Sequence, residues 1–361
     1  MKILALNSSP RVEGQSKTGI MLSALVDGMR AAGAEVDEVS LSKKNIKPCA
    51  GCFSCWTKTP GSCIHKDDMS RDLFHQWLES DLVIYASPLY HYTVNSEMKA
   101  FIERTLPALE PFFLSTESRT YHPLRSQVPK VVMLSVAGFP ENSVFDLLSS
   151  WANFLFGRDS AHENTLVAEI YRTMSSALTN PYFQEKAAVV LEATRQAGRE
   201  IVTSSAVAEE TLAQIKQPMV NDPAAFLEIG NLMWQTCISE GITPKQYGEK
   251  VQVPRADSIQ SYIAMMKLAF NAGSADGLDA EIQFNFSGEN QGSCFFKIKD
   301  GVIAGRPGDA ARPNLTVSTP FEVWMDISTG KSDGQEMLMQ NKYTVEGDLE
   351  LLMQMGQLFG R

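Results

Sequence analysis

Four cysteines, Cys49, Cys52, Cys55 and Cys63, stand within fifteen positions in the pattern C-x2-C-x2-C-x7-C. Zinc sites typically draw on two well-separated ligand pairs, whereas three thiolates at this tight spacing plus a distal fourth suit a cuboidal iron–sulfur cluster. Reduced structural thiols or a redox dithiol remain the competing readings of the same residues. Cys237 and Cys294 stand apart and are assigned to packing.

A second stretch able to do chemistry is "NSSPRVEGQSKTG", positions 7–19, which ends the apolar run "KILAL" and leads into a helical pattern ending near Gly33. A strand, a hydroxyl-rich turn and a helix form an anion site, because unpaired backbone N–H groups and the positive end of the helix dipole converge there. The hydroxyls of Ser8, Ser9, Ser16 and Thr18, with Arg11, complete it. A Walker A loop needs Gly directly before Lys and Ser/Thr, but Ser16 precedes Lys17. A dinucleotide fingerprint needs G-x-G-x-x-G, and the loop offers only Gly14 and Gly19. The remaining reading is the phosphate loop of a flavodoxin-like sheet.

The elements that must position these residues follow from hydrophobic periodicity. Short, nearly continuous apolar runs at 2–6, 82–87 and 130–136 read as buried parallel strands, "NTLVAEIY" as a last strand, and helical patterns lie between them. Asn95 is placed as a helix N-cap. The expected fold is α/β, a doubly wound, flavodoxin-like, five-stranded parallel sheet over residues 1–178, followed by a helical extension over 179–250. A proline- and glycine-broken stretch, 240–257, reads as a linker, and 257–361 as a separate α+β domain.

Three ordered motifs carry a family resemblance. "NSSPRVEGQSKT", "ASPLYHYTVNSEMKAFIER" (86–104) and "PCAGCFSCWTKTPGSCIHKDDM" (48–69) resemble the phosphate loop, the second flavin loop and the cysteine insertion of NAD(P)H-dependent FMN reductases and iron–sulfur flavoproteins. The resemblance implies that Ser9, Arg11, Ser16, Lys17 and Thr18 hold the FMN phosphate. It further implies that Pro88, Leu89, Tyr90, His91 and Tyr92 border the isoalloxazine ring, with Ser135 and Gly138 of "SVAGF" along another edge. His91 and Tyr92 are the candidate catalytic residues, and Cys49, Cys52, Cys55 and Cys63 the candidate ligands of a 4Fe-4S cluster. NAD(P)H as co-substrate, a small-molecule electron acceptor and a homodimer follow from the same resemblance.

Residues 305–359 resemble sterol carrier protein type 2 in "RPNLTVST", "FEVWMDISTGK" and "NKYTVEGDLELL". All five histidines lie at or before position 162, so this region has no imidazole for acid–base work, and binding of a lipid-like or other hydrophobic ligand is the expected role. Seven of the sixteen methionines fall within 257–361 (Met265, Met266, Met325, Met337, Met339, Met353, Met355), a side chain that adapts to irregular apolar ligands but equally fills ordinary cores.

The charge balance is acidic, with 32 Lys+Arg against 42 Asp+Glu and a net charge of −10, which argues against a nucleic-acid surface. No run approaches the ~20 apolar residues of a transmembrane helix, and the opening strand lacks a signal-peptide pattern, so the expectation is a cytoplasmic protein. The main reading is an FMN-dependent oxidoreductase with an appended carrier domain. The alternative is a lipid carrier whose flavodoxin-like part is a non-catalytic scaffold or redox sensor.

Overall fold

The computed structural model describes residues 1–12, 14–117, 119–250 and 253–359. It divides into two compact units, residues 1–219 and 220–361.

In the first unit, strands β1 (Lys2–Asn7), β2 (Glu35–Ser40), β3 (Leu82–Pro88), β6 (Lys130–Val136) and β7 (Leu166–Arg172) form one parallel sheet in the order β2-β1-β3-β6-β7. That is the flavodoxin-like order, whose switch point lies between β1 and β3. Every residue of β3 is buried, as a central parallel strand covered on both faces requires. β2, "EVDEVS", is a half-polar edge strand that hydrophobic periodicity does not single out.

Helices α1 (Lys17–Ala31), α2 (Phe74–Leu78), α3 (Ser96–Glu103), α4 (Asp146–Phe156), α5 (Gln184–Ser204) and α6 (Glu209–Lys216) surround this sheet, and a small hairpin, β4 (Leu114–Ser115) with β5 (Thr120–Tyr121), precedes β6. α1 and α5 cross backbone to backbone at two glycines. A Cβ on Gly28 would stand 1.9 Å from the Arg195 carbonyl oxygen, and one on Gly198 2.2 Å from that of Leu25. Only glycine permits that approach.

The second unit begins with α7 (Pro223–Glu240) and α8 (Pro244–Lys250), then α9 (Ile259–Ala269) and a sheet of β8 (Ala280–Ser287), β9 (Gly292–Lys299), β10 (Val302–Pro307), β11 (Leu315–Pro320) and β12 (Thr344–Gly347) in the order β10-β9-β8-β11-β12. β8 and β11 pair parallel and the other neighbours antiparallel. Helices α10 (Phe321–Ser328), α11 (Gly334–Met339) and α12 (Leu349–Leu358) complete the unit. Tyr262, Phe284, Phe286, Phe296, Phe321 and Trp324 fill its core, and the Trp324 indole N–H donates to the Tyr262 hydroxyl at 2.9 Å.

Two expectations differ from the structure. The stretch 240–257 contains α8, which starts at Pro244, a residue whose missing N–H costs nothing in a first helical turn. Val251 and Gln252 of that stretch lie outside the described residues. The helical extension 179–250 is also split, since α5 and α6 pack in the first unit while α7 packs against α9 in the second.

Candidate functional site

The loop after β1 is built from its own side chains. Ser16 caps α1 by accepting the Gly19 N–H at 2.9 Å, and the Ser9 N–H donates to Asn7 Oδ1 at 3.0 Å. The N–H groups at the start of α1 other than that of Gly19 have no carbonyl available within the helix. Ser8, Ser9, Ser16 and Thr18 are all buried, while Arg11 lies exposed. The Lys17 ammonium donates to Thr179 Oγ1. Burial, then the nearby Arg11, pushes the Lys17 pKa below its ordinary value. Two cations thus crowd one loop, and an anion between them would relieve both.

The second loop leaves β3 and turns at Tyr90–Thr93, where the Tyr90 N–H donates to the Thr93 carbonyl at 3.0 Å and the Thr93 N–H to the Tyr90 carbonyl at 3.1 Å. Both central residues have positive φ, +48° at His91 and +64° at Tyr92. That is the pattern of a type I′ turn, normally supplied by Asn or Gly, and bulky residues there carry backbone strain. Tyr90, His91 and Tyr92 are all exposed, beside a half-buried Leu89.

The third loop, after β6, lies beside the second because the Leu89 N–H donates to the Val136 carbonyl at 3.0 Å. Ser135 is buried and its hydroxyl donates to the Ser87 carbonyl at 2.8 Å, so its side chain ties β6 to β3. Gly138 has open space where a side chain would stand, and Phe139 beyond it is exposed.

Asn95, read from sequence only as a helix cap, links these loops. Its Nδ2 donates to the Ser8 carbonyl at 2.6 Å, its Oδ1 accepts from Ser87 Oγ at 3.2 Å, and its own N–H donates to Ser87 Oγ at 3.0 Å. With the Ser8 N–H bonded to the Ala86 carbonyl at 2.9 Å, a continuous set of bonds joins the carboxyl ends of β1, β3 and β6. The only sequence signal for it was an Asn just ahead of a helix.

Cys49, Cys52, Cys55 and Cys63 line one small apolar pocket together with Phe53, Ile64, His65, Arg104, Leu106 and Pro107. Burial, then the neighbouring thiols with Cys63 foremost, pushes the Cys55 pKa up, whereas hydrogen bonds from Ser54 pull that of exposed Cys52 down. Among the described residues no three His, Cys, Asp or Glu side chains are arranged to hold a metal ion. Ligands of one zinc ion would crowd to within about 4 Å of each other, at ~2.3 Å per Zn–S bond, while a four-iron cube spreads its thiolates over its corners.

Behind the pocket, Arg104 and Asp67 form a fully buried pair. Arg104 Nη1 donates to Asp67 Oδ2 at 2.6 Å and to the Lys47 carbonyl at 2.7 Å, and Nη2 donates to Asp67 Oδ1 at 3.1 Å and to Ser70 Oγ at 2.9 Å. Burial alone would raise the Asp67 pKa, but Arg104 and the N–H groups of Lys47 and Ser70 hold it well below the usual carboxylate range.

In the second unit Met265, Met266 and Met325 are buried in the aromatic core, while Met339 and Met353 are exposed. Cys237 and Cys294 are buried, and burial pushes the Cys294 thiol up to about 12, which keeps it protonated and inert.

Comparison with known proteins agrees with this division. Residues 1–151 match the NADPH-dependent FMN reductase family and residues 269–360 the SCP-2 sterol transfer family. The matches thus give a region similar to FMN reductases followed by a region similar to SCP-2 proteins. An iron–sulfur flavoprotein of Archaeoglobus fulgidus is 41% identical over 107 residues, 30% of this chain and 46% of that protein. An FMN-dependent NADH:quinone oxidoreductase of Methylorubrum populi is 29% identical over 115 residues, 30% of this chain and 56% of that protein. The chain thus spans about half the length of the curated relatives it matches. Among solved structures, an NAD(P)H:quinone oxidoreductase from Methanothermobacter marburgensis aligns over 56% of this chain and 96% of its own, at 15% identity and a TM-score of 0.42. Among the described residues, no helix is long and apolar enough to cross a membrane.

Proposed function

We propose that the first unit is an FMN-dependent, NAD(P)H-oxidising oxidoreductase, with FMN held at the carboxyl ends of β1, β3 and β6. The observation that carries this reading is the Asn95-centred set of bonds, which fixes three loops in one place at the edge where open α/β sheets bind ligands. Bound flavin would supply hydride and electron transfer. The start of α1, with Ser16, Lys17 and Thr18, would take its phosphate, and Arg11 would close over it. Tyr90 and Tyr92 would present ring faces to the flavin from a turn that cannot swing away, and Gly138 would let backbone approach its other edge. His91, at the tip of that turn, would hand a proton to a reacting acceptor, with Tyr92 beside it.

The four-cysteine pocket suits a 4Fe-4S cluster: four thiolate donors, a mostly apolar wall, and two buried nitrogens without hydrogen-bond partners, Arg104 Nε and His65 Nε2. A bound cluster would supply one-electron chemistry, and Cys49, Cys52, Cys55 and Cys63 would hold it. The names of the curated relatives support flavin in both classes and the cluster in one. For the second unit we propose binding of a hydrophobic ligand, supported by the SCP-2 match, and for the whole a cytoplasmic homodimer passing electrons to a small-molecule acceptor.

The test is an anaerobic visible spectrum of the full chain, with FMN, iron and acid-labile sulfide assayed on the same sample and NADH and NADPH oxidation followed. One FMN with about four irons per chain and nucleotide-dependent bleaching supports the full reading. Flavin without iron limits it to a flavin reductase. A colourless protein that co-purifies with lipid would favour the carrier alternative.

A further inference from the structure

Arg104 is almost fully buried, and four of its hydrogen bonds run to groups behind the cysteine pocket: two to Asp67, one to Ser70 and one to the Lys47 carbonyl. Arg104 lines that pocket and Asp67 does not, so the pair is an oriented dipole whose positive end faces the four cysteines. The remaining donor, Nε, is buried without an acceptor. Across two residues from Cys63, His65 lines the same pocket and its Nε2 is likewise buried without an acceptor. Two buried nitrogens left unpaired at the wall of one pocket, of which Arg104 Nε is always a donor, point to a hydrogen-bond partner inside it. Besides the cysteines, Arg104 and His65, the pocket is lined by apolar residues and by Glu103, whose carboxylate is already paired with Lys99.

We propose that Arg104 Nε and His65 Nε2, the latter in the tautomer that carries its proton there, donate hydrogen bonds to the sulfur atoms of a cluster held by Cys49, Cys52, Cys55 and Cys63, and so raise the potential at which that site takes up an electron. The inference rests on the cluster reading given above. Net charge and hydrogen bonds to sulfur are the levers by which a protein sets such a potential. An added electron places negative charge next to a fixed cation in a water-poor pocket, where the interaction is strong. Asp67 aims the guanidinium and keeps it charged, which makes it a positioning residue.

The experiment uses the full chain and two variants. Arg104→Lys keeps the charge beside Asp67 and removes the Nε donor and the planar fork; His65→Phe keeps the ring and removes the other donor. Iron and acid-labile sulfide are measured first, then the midpoint potential in an anaerobic dithionite titration. Arg104→Lys, with iron retained, is expected to lower the equilibrium constant for one-electron reduction about tenfold, ~59 mV, and His65→Phe to shift it the same way by less. Full iron with unchanged potentials in both variants overturns the proposal and leaves the cluster reading standing. If Arg104→Lys loses iron or fails to fold, His65→Phe decides: a lowered potential supports the proposal and an unchanged one overturns it. A wild-type chain purified anaerobically without iron overturns the cluster reading and this proposal together.

Discussion

The two units bury polar groups in opposite ways. In residues 1–219, Ser8, Ser16, Thr18, Ser87, Asn95 and Ser135 are buried together at the carboxyl edge of the sheet, and an ion pair is sealed behind the cysteines. In residues 220–361 the core is a stack of aromatic rings with one internal Tyr–Trp hydrogen bond. The first arrangement spends stability on fixing loops in a defined geometry, as a reactive site demands. The second fixes a shape, and among its described residues no Asp, Glu, His, Lys or Arg side chain is buried.

If that contrast is right, substitutions should damage the units by different routes, readable by hydrogen exchange resolved for each unit. The largest effect belongs to Asp67→Asn, which leaves Arg104 charged and poorly paired in the interior. It should cost about 3–5 kcal/mol in urea unfolding of the first unit and spare the second. The same residue sets a pH dependence. Its pKa is depressed in the folded state, so its contribution is present above the unfolded value near 4 and is lost as pH falls through and below it. Acid titration of first-unit stability should therefore be shallower in Asp67→Asn than in wild type; equal slopes would show that another carboxylate dominates.

Asn95→Ala comes next. It removes a helix cap and frees the Ser8 carbonyl and Ser87, at about 2–3 kcal/mol of first-unit stability, and FMN affinity by fluorescence quenching should fall at least tenfold. Unchanged affinity would mean that the three loops are held by something else. In the second unit Trp324→Phe removes the indole donor to the Tyr262 hydroxyl and should cost about 0.5–1.5 kcal/mol there, with FMN affinity unaltered. The smallest change is His91→Gly, which relieves a positive φ and should stabilise the first unit by up to about 1 kcal/mol in thermal unfolding. A loss of turnover alongside that gain would place His91 in the chemistry.

Much of the first unit was legible because buried parallel strands are continuous apolar runs: β1, β3 and β6 could be read directly from "KILAL", "LVIYAS" and "KVVMLSV". β2 escaped because an edge strand with four acidic or hydroxyl side chains in six positions carries no such run. The cysteines were visible by spacing, and the structure lines one pocket with all four. Their surroundings were not visible, since Arg104 stands 41 positions after Cys63 and meets it only through the fold. Asn95, Ser87 and Ser135 were hidden for a related reason. Their work is done in pairs across strands, and a hydroxyl that ties two loops looks in sequence like one that touches a ligand.

The glycine crossing of α1 and α5 has a consequence at some distance from itself. Gly28 lies eleven residues from Lys17, so about 16 Å of helix separates the crossing from the end that carries the anion loop. With backbone resting on backbone, the crossing acts as a fulcrum: a single methyl group wedged in at Gly28 or Gly198 would tilt a rigid arm whose far end is the loop of Ser16, Lys17 and Thr18. The geometry of that loop is therefore set in part by two positions that never approach it, and a survey of inactive variants would find hits there that no inspection of the site's own residues would anticipate.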